Sequence, residues 1–190
     1  MNELYKKLFE RLKDAKRIVF LGIGETKMTD DAVGPYIITE LLNKNDENFL
    51  FINAKIDPLA RMSEIVEFRP SHMVILDTCT LQKEPGTVAI IERENMHDLV
   101  PISSHTMPIH IVIDYLLEQI PDLKDVFMIG FVPKSLEGFI ELTQYKEGEL
   151  SIEEINENED LPFFDFQLTE EIKNAADQII AIIKKLIKEL

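Results

Sequence analysis

Two rhythms of apolar residues alternate along the chain. The first is helical. Leu4, Leu8, Leu12 and Ala15 recur at helical spacing within residues 2–15, with charges between them, and predict a short amphipathic helix. The second is the short apolar run. Ile18 to Leu21 is apolar on both faces, as a central parallel strand covered on both sides should be. Phe49 to Asn53 reads as a second strand, and Met73 to Leu76 and Val126 to Phe131 as further buried ones.

Helical stretches separate these runs. Val33, Ile37, Ile38, Leu41 and Leu42 form one stripe of a helix from about Asp31 to Leu42, and Asp30 is a good N-cap for it. Pro58 opens a third helix that carries Leu59, Met62, Ile65 and Val66, and Pro70 ends it. A helix from about Met107 to Glu118 keeps Pro108 in its first turn, where the missing N–H does no harm. After a Pro85-Gly86 turn, Thr87 to Ile91 is β-like and suits an edge or antiparallel strand. Leu168 to Leu190 is a strong helix, with Glu170 and Glu171 at its start and a wide apolar face through Ile172, Ala176, Ile179, Ile183 and Leu186.

This alternation predicts an α/β fold: a three-layer α/β/α sandwich around a mainly parallel, five-stranded twisted sheet, in a single domain over residues 1–190. Residues 144–165 are rich in Glu and Asn and read as an acidic insertion or loop. Ligands of open α/β sheets bind outside the carboxyl ends of the strands. The loop between Gly24 and Asp31, Asp77 after the third run, and the loop before the 107–118 helix all fall on that side.

Composition narrows the chemistry. The formal net charge of −15 argues against nucleic acid or an anionic membrane as partner, since both need a basic face. No apolar run is long enough to span a membrane, and a cytoplasmic protein is expected. A single cysteine, Cys79, rules out an internal disulfide and a multi-cysteine zinc site. Any metal must then be held mainly by histidine and carboxylates.

Gly22-Ile23-Gly24 follows a strand, as a dinucleotide loop would, but the third glycine position of that motif is Lys27. Asp30 and Asp31 stand at a helix entrance. One aspartate suffices for a cap, which leaves Asp31 for another role. Asp77 closes a buried strand, where a carboxylate is either hydrogen-bonded to a neighbouring loop or used at a site, because burial without a partner costs too much. His105 lies in a Ser-Ser-His-Thr entrance, where a lone histidine is more often a polar surface residue. Cys79 is either a thiol nucleophile paired with His105 or, more commonly, a small buried hydrophobe. Asp31, Asp77 and His105 together make a mixed carboxylate and imidazole set suited to a divalent metal with open positions, nickel or zinc among them. They are 46 and 28 residues apart, so only the α/β fold brings them together.

At this point a family pattern emerges. Leu21-Gly22-Ile23-Gly24, then Asp30-Asp31-Ala32-Val33-Gly34, resembles the opening motif of the hydrogenase maturation proteases. Ile75-Leu76-Asp77 is similar to the family's second acidic strand end, and Ser104-His105-Thr106-Met107-Pro108 to its histidine loop. Ile129-Gly130-Phe131-Val132-Pro133 followed by Leu142-Thr143 resembles its late segment, so the likeness spans roughly residues 17–143. Two positions depart from it. Glu25 stands where the family usually has Asn, and Ile52-Asn53-Ala54-Lys55 stands where many members have an Asp-Gly-Gly-Thr-like turn.

The resemblance implies an aspartyl-type endopeptidase that trims the C-terminus of a [NiFe] hydrogenase large-subunit precursor. It implies that Asp31, Asp77 and His105 contact nickel carried by that precursor; zinc or cadmium would suit the same set. Two other readings use the same residues: a hydrolase of small molecules with a resident metal, and a module that holds a nickel site without cutting.

Overall fold

A computed structural model of the chain describes residues 2–98, 108–137 and 167–190. Five strands form one sheet: β1 (Ile18–Ile23), β2 (Phe49–Lys55), β3 (His72–Thr78), β4 (Val88–Glu92) and β5 (Asp125–Phe131). Their order is β2-β1-β3-β5-β4. All neighbours are parallel except β4, which runs antiparallel to β5 at the edge. The helices are α1 (Asn2–Leu12), α2 (Val33–Thr39), α3 (Met62–Phe68), α4 (Ile109–Gln119) and α5 (Glu170–Glu189).

Side-chain alternation along each strand sorts the core into two layers. Phe20, Phe51, Val74, Leu76, Phe127 and Ile129 face α1, α2 and α5. Val19, Leu21, Met73, Ile75, Val126 and Met128 face α3, α4 and the turn at Met96. This is the expected α/β/α sandwich, and the antiparallel edge strand is where the β-like run was placed.

Strand order fixes where a site belongs. From β1 the chain leaves to one side for β2, then returns across β1 to β3. The crevice between the carboxyl ends of β1 and β3 is therefore the switch point at which ligands of such sheets sit.

Close packing of α2 shapes that crevice. A Cβ at Gly34 would stand 2.3 Å from the Leu76 carbonyl oxygen, so only glycine lets the helix lie this close to the strands. Gly24, at φ 138°, turns the chain out of β1, and a Cβ there would meet the Asp31 carbonyl oxygen at 1.8 Å.

Several expectations need correction. Asp30 does not cap α2. A 3-10 turn (Thr29–Ala32) precedes the helix, and the Val33 N–H is taken by the Asp30 carbonyl. No side-chain cap is formed at the start of α2. The helix is also shorter than predicted, ending at Thr39, and Leu42 is exposed although Leu41 beside it is buried. A second 3-10 turn (Leu42–Lys44) rotates Leu42 out of the stripe. β3 runs one residue past Asp77, to Thr78, and Asp77 pairs with Gly130. Pro108 precedes the first turn of α4 as its N-cap. The acidic stretch 144–165 lies outside the described residues.

Candidate functional site

Asp31 and Asp77 reach the switch-point crevice from different elements. Asp31 sits in the 3-10 turn after β1 and is wholly buried. Asp77 is the penultimate residue of β3 and is 7 % exposed. A carboxylate removed from water this far must be compensated by donors. The Asp31 Oδ2 accepts the Glu25 N–H at 2.7 Å, and its Oδ1 accepts the Thr78 hydroxyl at 2.8 Å. The Asp77 Oδ1 accepts the Thr78 N–H at 2.7 Å. Thr78 thus bonds both carboxylates, one through its side chain and one through its backbone.

That bridge follows from strand geometry. Neighbouring residues of a strand point to opposite faces. Asp77 and Thr78 therefore diverge, which sends the Thr78 side chain to the α2 face, where Asp31 waits. Sequence reasoning passed over Thr78; the one signal for it was a hydroxyl residue directly after the strand-terminal acid.

Among the described residues each Asp31 oxygen accepts one hydrogen bond, where a carboxylate offers about four acceptor positions in all. Among the described residues the donors to Asp31 are neutral, and they orient its charge without an ion pair. Asp31, oriented in this way, suits a hard or borderline divalent cation or a polarised water, with Asp77 one residue from the Thr78 that holds it. Among the described residues, no three His, Cys, Asp or Glu side chains form a metal-holding group by themselves. His105, the third expected member, lies outside the described residues, as do Ser103, Ser104 and Thr106.

Other candidates take different roles. Cys79 is buried, and its N–H bonds the Phe131 carbonyl at 2.8 Å. Burial first, and the Asp77 charge second, push its thiol up to about 12, so it stays protonated and is no nucleophile. Glu25 contributes through its backbone, while its own Oε1 accepts the Lys27 N–H at 3.0 Å. His72 lies at the opposite end of β3, where Ser71 Oγ is 3.0 Å from its Nδ1. Burial lowers its pKa below the usual histidine value.

The chain is similar to several known proteins. A model of the hydrogenase maturation protease family matches residues 35–155, a span that holds Asp77 and begins just after Asp31. A putative hydrogenase maturation protease of Methanocaldococcus jannaschii is 30 % identical over 138 residues, covering 68 % of this chain and 80 % of that protein. The hydrogenase 3 maturation protease of Escherichia coli is 27 % identical over 126 residues, covering 66 % and 79 % respectively. In structure, the chain is similar to a [NiFe] hydrogenase maturation protease from Thermococcus kodakarensis. The TM-score is 0.71 at 24 % identity, over 96 % of this chain and 99 % of that one. On the span and the identity of these matches, the chain belongs to the hydrogenase maturation proteases.

Proposed function

We propose that this endopeptidase removes the C-terminal extension of a [NiFe] hydrogenase large-subunit precursor and recognises nickel already placed in that precursor. Asp31, Asp77 and His105 are its nickel-contacting and catalytic residues. The observation that carries this reading is the Thr78 bridge, which fastens two buried carboxylates at the switch point of the sheet.

Two carboxylates and one neutral imidazole leave coordination positions for the precursor's own ligands. Nickel brought by the substrate supplies Lewis-acid chemistry for a scissile carbonyl or its attacking water. The chain's part is orientation. The Glu25 N–H and the Thr78 hydroxyl hold the Asp31 carboxylate in one rotamer, so that no reorganisation is needed when the nickel site docks. Metal that arrives with the substrate makes processing a checkpoint, since a precursor without nickel lacks the group that is recognised. The setting is the cytoplasm. Among the described residues no helix is long and apolar enough to cross a membrane.

The experiment is incubation of the purified chain with nickel-loaded precursor, read by the intact mass of the large subunit. Wild type should release the extension, and His105→Ala should leave the mass unchanged while keeping the wild-type melting temperature. Full processing by His105→Ala would remove the histidine from the set. Metal analysis of the same preparation should find no tightly held stoichiometric metal; finding one would favour a resident-metal hydrolase.

A further inference from the structure

Asp30 is wholly buried, yet it neither caps a helix nor faces the Thr78 bridge. Among the described residues its carboxylate accepts four hydrogen bonds. The Lys134 and Ser135 N–H groups reach Oδ2 at 2.8 and 2.9 Å, and the Thr169 hydroxyl reaches it at 3.0 Å. The Thr169 N–H reaches Oδ1 at 2.8 Å. In return the Asp30 N–H donates to the Ser135 carbonyl at 3.2 Å. One side chain therefore ties three segments: the turn after β1, the loop after β5, and the N-terminus of α5.

The turn's geometry links this clamp to the site. In a 3-10 turn successive side chains point about 120° apart. Asp30 and Asp31 are successive, so one is directed at the β5 loop and α5 while the other is directed at Glu25 and Thr78. Fixing the first sets the rotation of the turn about its axis, and with it the direction of the second. The four donors to Asp30 are the larger hold; Asp31 itself has two.

We propose that Asp30 is a positioning residue for the protease reaction, holding the Asp31 carboxylate in register with Asp77 and Thr78 through its four-donor clamp on the β5 loop and Thr169. It rests on the reading of Asp31 as a site residue. The clamp acts on the chemical step, because a displacement of about 1 Å at a reacting group costs on the order of 100-fold in rate.

The test compares Asp30→Asn, Thr169→Val and Thr169→Ser in the full chain with nickel-loaded precursor, recording kcat, KM and melting temperature. Asp30→Asn should lower kcat by about 10- to 100-fold with KM nearly unchanged, at a temperature where the variant is folded. Thr169→Val removes one of the four donors and should lower kcat in the same sense but less; Thr169→Ser, which restores the hydroxyl, should recover it. Wild-type kcat in folded Asp30→Asn, with only the melting temperature reduced, would make Asp30 a structural staple and overturn the inference. If Asp30→Asn does not fold, the Thr169 pair decides: equal kcat for Val and Ser overturns it. Asp31→Asn run alongside separates the two failures. An active Asp31→Asn defeats the site reading itself, whereas an inactive one beside fully active Asp30 and Thr169 variants defeats only the positioning role.

Discussion

The two ends of the sheet treat their carboxylates in opposite ways. At the amino end of β5, Asp125 is paired with Arg11, whose Nε and Nη2 reach its two oxygens at 2.5 and 2.8 Å. The same guanidinium holds Glu92 of the antiparallel β4 at 2.9 and 2.8 Å and lies 4.0 Å over the Phe127 ring. Charge there is cancelled by opposite charge, and the arginine is held well above its ordinary pKa by its Asp125 bond. At the carboxyl end, Asp30 and Asp31 are met by backbone N–H groups and threonine hydroxyls. Neutral donors orient a carboxylate without neutralising it. One end of the sheet thus closes a structure by ion pairing; at the other, among the described residues, Asp30 and Asp31 are held by neutral donors.

The largest effect that separates these ends is expected at the acids themselves. Asp31→Asn or Asp77→Asn should lower processing of the nickel-loaded precursor by about 1,000-fold or more, while circular dichroism and melting stay close to wild type. Next comes the bridge. Thr78→Val keeps the β-branched shape but frees the Asp31 Oδ1, and kcat should fall by about 10- to 100-fold, as for loss of a group that orients a metal contact. Unchanged kcat would mean that Asp31 needs no such support.

Arg11→Ala should behave in the reverse manner. It leaves Asp125 and Glu92 without their partner and should cost about 2 kcal/mol of stability in urea unfolding, with kcat per folded molecule unaltered. A kcat loss without destabilisation would contradict the division between the ends. The smallest effect is expected at Cys79. Its thiol is pushed up to about 12, so Cys79→Ala should process the precursor at the wild-type rate, and the native protein at pH 8 should resist alkylation.

Much of this was legible in the chain. The unbroken apolar runs at Ile18, Met73 and Val126 read as strands covered on both faces, and the 87–91 run suits an edge or antiparallel strand; β4 is both. Asp31 and Asp77 were legible as candidates because acids beside buried strands need a reason. The division of labour at Asp30 was not. A helix entrance normally takes a side-chain cap, and nothing local reveals that the Asp30 backbone carbonyl takes the Val33 N–H while the Asp30 side chain goes to partners more than 100 residues away. Thr78 escaped for a related reason: its role depends on which face of β3 meets α2, a property of tertiary packing set by the glycine contact at Gly34.

The most direct measurement of the central claim is a pairwise comparison of precursor processing, with nickel-loaded and nickel-free precursor each incubated with wild type and with Asp31→Asn, read by intact mass. The extension should be lost only where wild type meets the nickel-loaded form. Equal cleavage of the nickel-free precursor, or full cleavage by Asp31→Asn, would contradict the assignment of these carboxylates to a nickel-bearing substrate.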